Sequence, residues 1–116
     1  IEIVEGYSHY ENLISNEILT DLFESNAKLV GRDMKRNSEY DQSKNGSTDM
    51  GNVSKIIPTL QPFIQIVDDD GEIVNHQKEF ANASITKRAA KGIRDSSIMM
   101  ALTVMDLIED NYFNKL

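Results

Sequence analysis

An α/β fold is what this 116-residue sequence predicts, and three observations predict it. Residues 14–30 and 85–112 place apolar side chains at helical spacing, the run Leu60 to Val67 is rich in β-branched and aromatic residues, and the opening Ile1-Glu2-Ile3-Val4 alternates as a strand does. Helices interleaved with strand-like runs and joined by polar turns are the pattern of layered α/β folds. The length allows at most one domain, which would hide roughly two-thirds of the surface its unfolded chain exposes. Opening at Ile1 inside a strand-like run, the sequence reads as a piece of something longer.

Residues 1 to 7 alternate like a strand end, and Ser8-His9-Tyr10-Glu11 has the S-x-x-E form of a capping box at a helix start. Ile14, Ile18, Leu22, Phe23, Leu29 and Val30 then line one helical face, with Glu17, Asp21, Glu24 and Lys28 toward water. Ser15-Asn16 can interrupt and re-cap this run, giving one helix or two short ones. Gly31 stands where a left-handed C-terminal cap is expected. From Arg32 to Asn45 the chain is almost wholly polar and reads as a long surface loop. Gly46 to Ser54 is rich in small turn residues. Leu60 to Val67 follows as a strand in which Pro62, lacking an amide donor, marks an edge or a bulge. Asp68-Asp69-Asp70-Gly71 reads as a solvated turn, because it lacks the spaced oxygen ligands of an EF-hand. Ser84 is the expected cap of a last helix whose buried face would be Ala89, Ile93, Ser97, Met100, Val104 and Leu107 or Ile108. Lys87, Arg88 and Lys91 set cations against the positive end of that helix dipole, an arrangement with no evident role in the sequence alone.

Composition excludes several functions. A formal charge of -7 without a Lys/Arg cluster argues against nucleic acid, whose binding depends on neutralising phosphates. No apolar run reaches the roughly 20 residues that span a bilayer, so no membrane partner is expected. Cysteine is absent, which removes disulfides and thiolate chemistry and favours a cytoplasmic origin. Any metal would therefore be held by nitrogen and oxygen ligands. Two histidines exist: His9 in the capping segment reads as an exposed polar residue, and His76 follows Ile73-Val74-Asn75 at the end of an apolar run. A single histidine is not a metal motif, and Ser47, Thr48 and Asp49 are ordinary turn and cap residues.

The nonapeptide Gly46-Ser47-Thr48-Asp49-Met50-Gly51-Asn52-Val53-Ser54, followed across the strand-like run by Asn75-His76 and Glu79-Phe80, resembles the last catalytic segment of the M20 metallopeptidases, in their amidohydrolase, aminoacylase and dipeptidase branch. That resemblance implies a two-domain hydrolase of which this chain is a C-terminal fragment. Residues 1–6 would be the tail of an inserted dimerisation domain, and residues 7–116 the C-terminal part of a zinc-peptidase-type catalytic domain. It implies one or two divalent ions, zinc foremost, with His76 as a metal ligand and with Asp49 and Asn52 near the substrate or the ligands. The substrate would be a dipeptide or an N-acyl amino acid, the whole protein a homo-oligomer, and the fragment itself inactive, because the family's general base and remaining ligands match nothing here. The alternative is a small non-catalytic α/β interaction module with an incidental histidine.

Overall fold

A computed structural model describes residues 9–36, 48–67, 73–109 and 116. The strand-like opening with its Ser8 cap, the polar stretch beyond Arg36 through Ser47, and the acidic turn at 68–71 lie outside the described residues. The described residues form four helices: α1 (Glu17–Leu29), α2 (Met50–Ser54), α3 (Lys78–Ala83) and α4 (Lys87–Glu109). No strand occurs among the described residues, so the α/β expectation is overturned and the described fold is helical. The β-rich run 60–67 is drawn out but forms no ladder, because a strand exists only when a neighbour pairs its backbone and no described segment does so.

Local chemistry explains the helix limits. Asn16, not Ser8, starts α1: its side-chain oxygen accepts from the Leu19 amide at 3.0 Å, while its own amide donates to the Thr59 carbonyl at 2.9 Å. The helix ends as its sequence predicts. Gly31 adopts a φ of 74°, and the amides of Gly31 and Arg32 return to the carbonyls of Lys28 and Ala27, the paired bonds of a Schellman cap. The cap of α4 is Thr86, whose hydroxyl accepts from the Ala89 amide at 3.2 Å; the expected cap, Ser84, donates its hydroxyl to the Ala81 carbonyl instead. The turn around Val53 is the short helix α2, and the segment after His76 is the helix α3.

α1 packs along α4, and the core between them is Phe23, Ala27 and Met99, flanked by Val30, Met34, Leu60 and Ile64. The buried face of α4 is Ala89, Gly92, Asp95, Met99, Thr103 and Leu107. This corrects the expected face: Ile93, Met100 and Val104 are 67%, 54% and 51% exposed. Polar pairing across the helices selects the register. Asn26, buried on α1, donates its amide to Thr103 Oγ1 at 3.2 Å and to Asp106 Oδ2 at 2.7 Å. Two turns in from the start of α4, Arg32 Nε donates to Asp95 Oδ2 at 2.7 Å, and Lys91 Nζ reaches the same oxygen at 2.6 Å. Turning Ile93 inward would leave these groups buried without partners, which costs more than an exposed isoleucine.

The ion pairs make stability depend on pH. The Lys91 ammonium hydrogen-bonded to Asp95 holds its carboxyl below the usual carboxylate range, and Arg32 adds to this, against the upward push of burial. Arg36, bonded to Glu24, lowers that carboxyl in the same way. A depressed folded value means that the unfolded chain binds protons first, so the stabilisation is complete above the ordinary carboxylate range and is lost as pH falls through it. The urea midpoint should hold steady from pH 7 to about 5 and drop below about pH 4. Asp95→Asn should flatten that drop, and an unchanged acid limb in the variant would remove Asp95 from this account.

Candidate functional site

The nonapeptide's described part, Thr48 to Ser54, is a cap followed by α2, and its residues divide by what their side chains bond. Thr48 Oγ1 accepts from the Met50 amide at 3.3 Å and opens the turn. Asp49 is the residue before α2, with φ -70° and ψ -12°, but its carboxylate makes no capping bond. It is exposed, and no hydrogen bond or ion pair engages that carboxylate among the described residues.

Asn52 is occupied differently. Its amide nitrogen donates to the His9 carbonyl at 2.9 Å and its oxygen accepts from the Glu11 amide at 3.2 Å, so the side chain pairs with residues 9–11 as a neighbouring backbone would. Two residues on, Ser54 Oγ accepts from the Ile14 amide at 3.0 Å and donates to the Gly51 carbonyl at 2.6 Å. Gly51 is buried beneath the same segment, and a Cβ at that position would overlap the Glu11 carbonyl oxygen. Gly51 does admit a close backbone approach, and the backbone that approaches is residue 11. The clamp formed by Gly51, Asn52 and Ser54 went unread in the sequence, where Gly followed by Asn and Ser signals only a turn. His9, exposed, enters through its carbonyl rather than its ring in this contact.

His76 sits in the turn just before α3. Gln77, the residue before that helix, accepts through Oε1 from the Val74 amide at 3.2 Å and so folds the turn over itself. The turn places His76 at a φ of 69°, the one non-glycine residue with positive φ among those described, with its side chain exposed. That conformation costs an L-residue roughly 1–2 kcal/mol, and no packing or hydrogen bond of the imidazole among the described residues repays it. His76→Gly should therefore stabilise the chain by up to about 1 kcal/mol in urea melts, since glycine adopts the conformation freely. A loss of stability would mean that the imidazole has a structural partner.

No hydrogen bond or ion pair joins His76 to Asp49 or Asn52, and no group of three or more His, Asp or Glu side chains among the described residues could hold a metal. A zinc site needs three or four protein ligands. The described residues therefore do not fit a metal centre by themselves, and His76 could contribute one ligand at most. No described helix is long and apolar enough to cross a membrane.

The chain is similar to the Xaa-Arg dipeptidase of Mus musculus, 28% identical over 106 residues that make up 90% of this chain and 24% of that protein. It is also similar to the Xaa-Arg dipeptidase of Homo sapiens, 26% identical over 108 residues, 93% of this chain and 24% of that protein. It thus spans about a quarter of the length of the curated relatives it matches. No protein-family model matches the chain, and no solved structure matches it. The similarity relates the chain to one part of dipeptidase-type hydrolases.

Proposed function

We propose that this chain is the C-terminal part of a dipeptidase-type metallohydrolase of the M20 kind. Residues 1–6 are the end of an inserted dimerisation domain and residues 7–116 the closing part of the catalytic domain, within a homo-oligomer. The observation that carries this reading is the similarity of nine-tenths of the chain to a quarter of two dipeptidases. Three features of the structure are consistent with it. His76 pays a conformational cost that the described fold does not recover, the Asp49 carboxylate is exposed and makes no bond among the described residues, and the turn that carries Asp49 is locked in place from beneath by the Asn52 clamp.

In this reading His76 is one ligand of a divalent ion, zinc first among those suited to imidazole, and the rest of the longer protein provides the remainder. Asp49 faces the substrate or steadies a ligand. Asn52 acts on neither directly, since both ends of its amide are spent on residues 9 and 11. Amide hydrolysis needs a base to carry a proton to the leaving amine, and that group too belongs to the remainder. The substrate class is a dipeptide or N-acyl amino acid. A dipeptide ending in arginine is the first to assay, because the relatives are named for it.

The chain alone should hydrolyse no dipeptide above background and should bind zinc only weakly, as one protein ligand cannot close a site. The decisive comparison uses the longer protein. His76→Ala should lose bound metal together with at least roughly 100-fold of activity, and Asp49→Ala should lose turnover while retaining most of its metal. Metal analysis beside steady-state rates reads both effects. Full activity in His76→Ala would return the chain to the reading of a non-catalytic interaction module.

A further inference from the structure

Two of the three cations at the start of α4, Arg88 and Lys91, unexplained by the sequence and unused by the proposed hydrolase site, border a depression of about 200 Å³ that is also lined by Gly31, Arg32 and Gln65. Arg32 comes from the Schellman turn after α1, so two elements direct guanidinium and ammonium groups to one place. We infer that this depression is a binding site for a small oxyanion, a phosphate or carboxylate group of a soluble ligand.

Arg32 is the anchor. Its side chain is 17% exposed, and its Nε is fixed by Asp95 at 2.7 Å. One Nη contacts the Gln65 carbonyl at only 3.4 Å, and the other has no hydrogen bond among the described residues. A guanidinium held through Nε keeps the outer edge of its planar fork for a second, bidentate acceptor. Lys91 and Arg88 stand one turn apart on α4 and border the same depression, and among the described residues Asp95 supplies the only carboxylate bonded to Arg32 or Lys91. The positive end of the α4 dipole acts in the same direction.

Titrating the isotopically labelled chain with inorganic phosphate and, separately, with acetate tests the inference by NMR, with ionic strength held constant by chloride. Saturable shifts confined to the amides of Gly31, Arg32, Gln65 and the first turns of α4 are expected. Arg88→Gln, which alters an exposed side chain, should raise the dissociation constant about tenfold. Lys91→Gln should act in the same direction. Arg32→Lys, which keeps the charge without the fork, should lose the phosphate response if it folds, and the two α4 variants carry the test if it does not. Saturation by phosphate alone assigns a phosphorylated ligand, and saturation by both assigns any accessible carboxylate. Linear, dispersed shifts, or dissociation constants unmoved in both Arg88→Gln and Lys91→Gln, would overturn the site.

Discussion

Gly51→Ala is expected to cost about 3 kcal/mol or more of stability, the upper end of what one added methyl group does to a packed site. The reason is the neighbour. The new Cβ would occupy the place of the Glu11 carbonyl oxygen, a backbone atom held on one side by the bonds of Asn52 to the His9 carbonyl and the Glu11 amide and on the other by the bond of Ser54 to the Ile14 amide. No side-chain rotation relieves that overlap, so residues 9–14 must lift from α2 and give up the Asn52 bonds and the Ser54 bond to Ile14 together. Denaturant melts measure the loss, and amide exchange locates it, with Glu11 and Ile14 losing protection before the α1 and α4 core. Asn52→Ala provides the control. It opens the same clamp without a clash and should cost about 1–3 kcal/mol. Equal stability of Gly51→Ala and the parent chain would show that residues 9–14 are not seated as described.

Self-association is the second large effect. The outer face of α4 carries Ile93, Met100, Val104, Met105 and Ile108, each more than half exposed, and Phe63 on the extended run is 68% exposed. Large side chains of this kind gain about 1.5–3 kcal/mol each on full burial, and a contiguous apolar stripe on a helix marks a contact surface. In light scattering the mass should rise above 13.1 kDa as concentration increases. Replacing Met100 and Val104 together by Glu should weaken association by roughly 100-fold or more, because each carboxylate would be buried without a partner. The inner face of α4 does not include either residue, so the melting temperature of the monomer should change little. A compact monomer at the highest attainable concentration would mean that the stripe has no affinity for a second copy. Association that persists in the double variant would move the contact elsewhere, to the run around Phe63 first.

What the sequence determined by itself was whatever depends on neighbours within a turn or two of chain. The stop of α1 at Gly31 was legible because only a glycine-like conformation satisfies the last carbonyls there, and the extent of α4 because a long run of helix-compatible residues contains no proline. Contacts between distant residues were decided by the tertiary structure alone. α4 is apolar on more than one side, so periodicity could not choose its inner face; Asn26 and Arg32, some 60 to 80 residues away in sequence, chose it by requiring Thr103, Asp106 and Asp95 as partners. The resemblance implies a place near the substrate or the ligands for Asn52, and only the fold shows that residues 9 and 11 take both ends of its amide. The run 60–67 has the composition of a strand, but β-structure is a relation between two segments, and among the described residues the second segment is missing.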